Sequence, residues 1–315
     1  GRDIGELSIP QVRVANPRRA ASWVASEFFG HPSRELTMIG ITGTNGKTST
    51  ATLVVSIFEA AGYKTAQMGT LGIIAKGNYP QEKTLTTLDQ VSLQKTLFYL
   101  KNDSFSHVVM EVSSHALQQC RVADVDFNIA AFTNLTPEHL DYHQTMDAYG
   151  EAKASLFKWD DLPLAVINVD DQFGLRLAGR VAKENPECKL LRYSASGAEA
   201  EFWLSDIKLS HSGAKAKLHC PEGEFTLSSS LLGVFNLSNV LAVLACLYGS
   251  GFAIKKLLPM VKKLRPVPGR MQCLNSTDGV TAVVDYAHTP DALEQVLESL
   301  RAHTQGKLHC VFGCG

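Results

Sequence analysis

The run Gly43-Thr44-Asn45-Gly46-Lys47-Thr48-Ser49 brings together residue types that can hold a nucleotide phosphate. Small residues let backbone N–H groups converge on an anion, and the positive end of a following helix dipole adds to the attraction. Lys47 would reach the terminal phosphates, and the Thr48 hydroxyl would ligate magnesium. The spacing is tighter than G-x-x-x-x-G-K-[ST], because the position that pattern reserves for its first glycine is Ile41. The competing reading is an ordinary strand-to-helix turn.

Further reactive groups cluster where apolar stretches end. Glu111 closes the stretch 107–112 and precedes Ser113, Ser114 and His115. An acidic residue there suits a second magnesium ligand, or else a solvated glutamate beside a helix N-cap. Asn134, Glu138, His139, Asp141 and His143 crowd one short segment, a density that favours a metal or phosphate role. Lys153 sits in a helical pattern and by physics alone reads as a solvated lysine; Asn236 reads equally as an N-cap. Arg270 follows a stiff Pro-Val-Pro-Gly break, and Asp285 and His288 sit at another strand end. Each signal is weak alone, and their weight comes from falling around one cleft.

The elements that must position these groups alternate. Strands are expected at 37–42, 107–112, 128–132, 164–169 and 189–193, and helices at 47–61, 88–101, 146–157, 172–183, 236–248 and 254–264. That order predicts an α/β fold with a mainly parallel, doubly wound sheet. Residues 201–232 change to short alternating segments and suggest a small antiparallel insert. The break at 265–269 cannot continue a helix. We therefore expect residues 1–35 to be the tail of a preceding domain or linker, 36–267 a central domain and 268–315 the beginning of a second, Rossmann-like α/β domain. In that last segment strands are expected at 271–274, 280–284 and 307–312, with a helix at 290–303. The sequence opens on Gly1 rather than Met, which reads as a processed or trimmed product.

Thirty basic and 31 acidic side chains leave a net charge of −1, so the balance points to neither nucleic acid nor a membrane surface. No apolar run approaches the ~20 residues of a membrane span. Seven scattered cysteines without a Cys-x-x-Cys pair fit reduced thiols in a cytosol.

Taken together, 43–49, 111–121, 134–143, 149–157, 267–271 and 285–293 resemble the Mur ligase family, ATP-dependent amide-bond-forming enzymes of peptidoglycan precursor synthesis. The order and spacing are most similar to the members that add the third amino acid. The resemblance implies a P-loop central domain in which Gly43, Thr44, Asn45, Gly46, Lys47, Thr48 and Ser49 bind ATP. It implies magnesium held by Thr48, Glu111, His139 and a carbamylated Lys153. Asn236 and Asn239 would face the adenine, Arg270 the γ-phosphate, and Asp285 and His288 the ribose and base. Thr86, Thr87, Ser113, Gln119 and Arg121 match positions that hold a UDP-muramoyl-dipeptide. Lys47, Lys153, Arg270 and His139 would serve the reaction, with meso-diaminopimelate or L-lysine as the second substrate. It also implies a cytoplasmic monomer, and a family pattern that runs on beyond both ends of the sequence. Three rivals stay open: another Mur or folylpolyglutamate-type ligase, a P-loop regulatory NTPase acting as a switch, and an α/β domain with an adventitious Gly-Lys-Thr loop.

Overall fold

The structure, a computed structural model, describes residues 11–77, 79, 85–159, 161–210, 212–275, 280–288 and 290–313. The terminal residues 1–4 and 314–315 weighed in the sequence lie outside these. Strands β1 (Thr37–Thr42), β2 (Thr65–Gly69), β3 (Gly72–Ile74), β4 (His107–Glu111), β5 (Ile129–Phe132), β6 (Leu164–Asn168), β7 (Lys189–Ser194), β8 (Phe202–Ser210), β9 (Gly213–Cys220) and β10 (Gly223–Ser229) form one ten-stranded sheet. Their spatial order is β10-β9-β8-β7-β6-β5-β1-β4-β2-β3. From β8 to β2 every pairing through β7, β6, β5, β1 and β4 is parallel. The described α-helices are α1 (Pro17–Phe28), α2 (Lys47–Ala60), α3 (Gln90–Asn102), α4 (Ser114–Gln118), α5 (Leu140–His143), α6 (Met146–Ala154), α7 (Gln172–Glu184), α8 (Val234–Gly249), α9 (Ile254–Val261) and α10 (Pro290–His303).

The period-two geometry of β1 shows why the sheet is covered on both sides. Successive side chains point to opposite faces. Met38 joins a core with Leu93, Leu97 and Leu100 of α3 and Leu177 of α7, whereas Ile39 and Ile41 join α2, α8 and α9. Strands buried on both faces carry near-continuous apolar runs, which is what made β1, β4, β5 and β6 readable. Nearly all of α8 is apolar, and it is buried from Leu237 through Leu247 except at Ser238, as befits a helix packed between layers.

Two expected elements need correction, at 146–157 and at 307–312. The antiparallel run expected over 201–232 is present as β8–β10, and it joins the main sheet where β8 pairs in parallel with β7 through Tyr193 and Phe202. The sheet's far edge, β2 and β3, had no counterpart in the sequence reading. The helix expected over 146–157 tightens after Ala154 into a 3₁₀ turn, Ser155–Phe157. Past residue 268, the two expected strands are present as β11 (Gln272–Asn275) and β12 (Thr281–Val284), which form an antiparallel pair. Residues 307–312 form no strand, since β11 and β12 pair only with each other and no other described strand lies alongside.

Candidate functional site

The phosphate loop links β1 to α2 at the carboxyl edge of the sheet, where ligands of such folds bind. Gly43 and Gly46 have φ of 147° and 86°, conformations that favour glycine. A Cβ at Gly43 would stand 1.9 Å from Thr133 Oγ1, and one at Gly46 would stand 2.5 Å from Asn239 Oδ1. A strap of residues 133–136 after β5 fixes the loop. The Asn45 amide donates to Asn134 Oδ1 at 2.8 Å, and the Thr133 hydroxyl donates to the Asn45 carbonyl at 2.6 Å. Asn134, given no individual role in the sequence, is therefore a main support of the loop.

Two lysines meet beneath it. Lys47 Nζ donates to the carbonyls of Gly43 (2.9 Å) and Thr44 (2.7 Å), and Lys153 Nζ donates to the same Gly43 carbonyl at 2.7 Å. The reading of Lys153 as a solvated lysine fails, because it is only 1 % exposed. Helix α6 directs it inward, one turn beyond Tyr149, whose ring centroid lies 4.3 Å from Nζ. Burial pushes the Lys153 ammonium well below the ordinary lysine pKa, and the nearby Lys47 charge lowers it further. Burial also lowers Lys47, although Glu111 and Glu138 pull it the other way. Tyr149 is raised by burial, and its hydroxyl lies 3.1 Å from Thr44 Oγ1.

Glu111, 1 % exposed, accepts from Thr48 Oγ1 at 2.9 Å, from the Thr70 hydroxyl at 3.1 Å and from the Thr70 amide at 2.9 Å. A buried carboxylate and hydroxyl in contact offer the hard oxygens that magnesium takes, with phosphate oxygens and water filling its other positions. No trio of His, Cys, Asp or Glu among the described residues is arranged to hold a metal by itself. His139 adopts the left-handed conformation (φ 57°) and its ring packs 4.8 Å from that of His115. Burial lowers the pKa of His115, and the neighbouring His139 adds to the shift.

A cleft of about 530 Å³ gathers these groups. Thr44 through Ser49, Glu111 and His139 form its floor, and Thr86 and Ser113 line it. Arg270, Asp285 and His288 enter from the far side of the Pro-rich break, with Asn239. Six other expected residues stand behind the lining. Gly43 and Lys153 lie beneath the loop. Asn236 spends its amide on the Leu232 carbonyl (2.8 Å) and accepts from Asn239 (3.1 Å). The Thr87 hydroxyl donates to the Glu111 carbonyl at 2.8 Å, Arg121 donates to the Thr87 carbonyl at 2.9 Å and to Gln119 Oε1 at 2.6 Å, and Gln119 donates to Tyr142 at 3.2 Å. Asp285 is also committed, accepting from the amides of Met271 (2.7 Å) and Ala287 (2.8 Å), while the Arg270 guanidinium lies 4.6 Å from the Tyr286 ring centroid.

The sequence reading overlooked the wall made by Asn168, Asp170, Ala195 and Ser196. Asp170 accepts from the Ala195 amide (2.7 Å) and Ser194 hydroxyl (2.5 Å), so it holds the turn after β7 against the cleft. The doubled aspartate at the end of an apolar strand was the available signal.

Residues 41–247 match the Mur ligase middle domain, and residues 269–315 match the Mur ligase, glutamate ligase domain. A UDP-N-acetylmuramoyl-L-alanyl-D-glutamate--2,6-diaminopimelate ligase of Ectopseudomonas mendocina is 48% identical over 93% of this chain and 59% of its own length. The Pseudomonas putida protein of that name is 46% identical, covering 98% of this chain and 62% of its own. The chain thus spans about three fifths of the length of these curated relatives. A solved structure of a ligase so named superposes with a TM-score of 0.84 at 36% identity, over 99% of this chain and 63% of that one. A Mycobacterium tuberculosis folylpolyglutamate synthase complexed with ADP shares the fold, with a TM-score of 0.74 at 17% identity, over 91% of this chain and 70% of its own. On the match across 41–247, the chain belongs to the Mur ligase family.

Proposed function

We propose that this chain forms the catalytic part of an ATP-dependent ligase that joins 2,6-diaminopimelate to UDP-N-acetylmuramoyl-L-alanyl-D-glutamate in peptidoglycan precursor synthesis. One observation carries the proposal. A single cleft presents a phosphate loop between Thr86 and Ser113 on one side and Arg270, Asp285 and His288 on the other. The relatives' names supply the substrates, and diaminopimelate is preferred to L-lysine because the named relatives carry it. The boundary near 267/268, after a tail at 1–35, belongs to the same proposal. So does a monomer in the cytoplasm, where ATP is available. No helix among the described residues is long and apolar enough to cross a membrane.

The mechanism follows from the groups present. Lys47 would leave the Gly43 and Thr44 carbonyls for the terminal phosphates of ATP, and Arg270 would meet the γ-phosphate. The substrate carboxylate attacks the γ-phosphorus, ADP departs and an acyl phosphate forms. The diaminopimelate amine then attacks the acyl carbon, and phosphate leaves. Magnesium, held by Thr48, Glu111, His139 and the phosphates, would neutralise charge as the phosphoryl group moves. In its uncharged form, which burial favours, the Lys153 amine would bond carbon dioxide and release one proton, giving a carbamate. An anion there suits a metal-bearing site better than a buried ammonium. Asn236 and Asn239 would serve the adenine, and Asp285 and His288 the ribose and base. Thr86, Thr87, Ser113, Gln119 and Arg121 would hold the muramoyl-dipeptide. Catalysis is then positioning and charge neutralisation, without a covalent enzyme intermediate.

The test is phosphate release by the full-length protein given ATP, magnesium and UDP-muramoyl-L-Ala-D-Glu, with diaminopimelate or L-lysine in separate reactions. Release that requires diaminopimelate is expected. Release without any amino acid would favour the nucleotide switch, and release with L-lysine alone would overturn the amino-acid assignment.

A further inference from the structure

His303, in the last turn of α10, is 9 % exposed and engages backbone at both ring nitrogens. The Gly233 amide donates to Nε2 at 2.9 Å, and Nδ1 lies 2.6 Å from the Ser210 carbonyl. An amide can only donate and a carbonyl can only accept, so the ring is neutral with its proton on Nδ1. Both partners lie outside the segment that carries His303. Ser210 ends β8, and Gly233 (φ 90°) is the N-cap of α8. Leu232, the residue before Gly233, packs with Met271 and with Val296 and Leu300 of α10 in a small core of its own.

We infer that His303 is a positioning residue, a strut that sets α10 against the start of α8 and thereby shapes the nucleotide end of the cleft. Two chains of contact meet at it. Along α10, Ala292, Gln295 and Val296 line the cleft. Along α8, Gly233 leads to Asn236 and Asn239, and Asn239 Oδ1 lies 3.4 Å from Thr50 Oγ1 in the helix that carries the phosphate loop. Releasing the ring would free α10 and the first turn of α8 together, while Thr86 and Ser113 on the other side would stay in place. A buried amide that loses its acceptor is costly, so the effect is concentrated at Gly233. That this end takes ATP rests on the function proposed above; the strut itself does not.

The test compares His303→Ala and His303→Gln in the full-length protein. Glutamine can still present an oxygen to the Gly233 amide. In His303→Ala, hydrogen exchange in a peptide spanning 231–237 should rise at least tenfold while peptides of β1 and β4 keep wild-type rates. The KM for ATP should rise about tenfold with the KM for the muramoyl substrate within twofold, and glutamine should restore most of both effects. Unchanged exchange at 231–237 would overturn the strut, as would equal rises in the two KM values or glutamine behaving like alanine. If the wild-type protein ligates nothing, the functional proposal fails while the exchange data still decide this one.

Discussion

Lys153 shows how a site residue can be chemically unreadable from its neighbours in sequence. Tyr149-Gly-Glu-Ala-Lys153 has the look of a solvated helix face, and Glu151 is indeed paired with Arg180 at the surface. Only the docking of α6 beneath the phosphate loop turns Lys153 inward, where burial and Lys47 together disfavour its charge. That environment yields a prediction. Lys153→Ala should lower ligation by at least a thousandfold while leaving the fold intact, because the lysine makes one backbone hydrogen bond, to Gly43. The wild-type rate should rise with added bicarbonate, and the Lys153→Ala rate should not. Substantial bicarbonate-independent ligation in the variant would remove the carbamate from the mechanism. Gly43, Gly46, Lys47 and Thr48 could be singled out for the opposite reason: the roles proposed for them follow from backbone freedom, a charge and a hydroxyl at fixed spacing, and none needs a distant partner to be recognised.

Elements differ in the same way. α3 announces itself with Asp89, whose side chain accepts from the amides of Val91 (3.0 Å) and Ser92 (3.1 Å) and caps the helix. Burial raises the Asp89 pKa, but the hydrogen bonds from Ser92 and Val91 outweigh it, leaving the carboxyl lowered. A lowered carboxyl contributes stability that is present above its unfolded value and lost as pH falls through the folded one. Asp89→Ala should therefore cost about 1 kcal/mol at neutral pH. The difference from wild type should shrink as both are taken toward the acid limit, as urea midpoints would show. An equal deficit at every pH would mean that the cap does not act through its charge. The buried parallel strands were equally legible, since apolar runs bounded by turns carry their own signal. β2 was not, because Thr65–Gly69 mixes threonine, alanine, glutamine and glycine, and β3 has only three residues. The antiparallel run β8–β10 was legible from its alternation, which does not itself say which edge a strand joins. Residues 307–312 show the converse: apolar residues favour a strand, but pairing makes one.

At the scale of the molecule, the cleft depends on residues from two stretches that match separate family domains, 41–247 and 269–315. Lys47 and Thr48 belong to the first, while Arg270, Asp285 and His288 belong to the second. The net charge of −1 gives no general attraction for a polyanion, so affinity for ATP must come from local groups. A nucleotide bound across both stretches stabilises the folded state by RT ln(1 + [L]/Kd), about 2.7 kcal/mol at a hundredfold excess over Kd. For 315 residues unfolding together that corresponds to a rise in Tm of roughly 4 °C, and to less in a longer chain. Magnesium-ATP should produce such a rise in the full-length protein, and Lys47→Ala should abolish it. Arg270→Ala should halve it, because the phosphate loop is untouched and only the grip from the second stretch is lost. A full shift in Arg270→Ala would show that the Arg270 guanidinium adds nothing to nucleotide affinity, and the grip from the second stretch would then rest on Asp285 and His288.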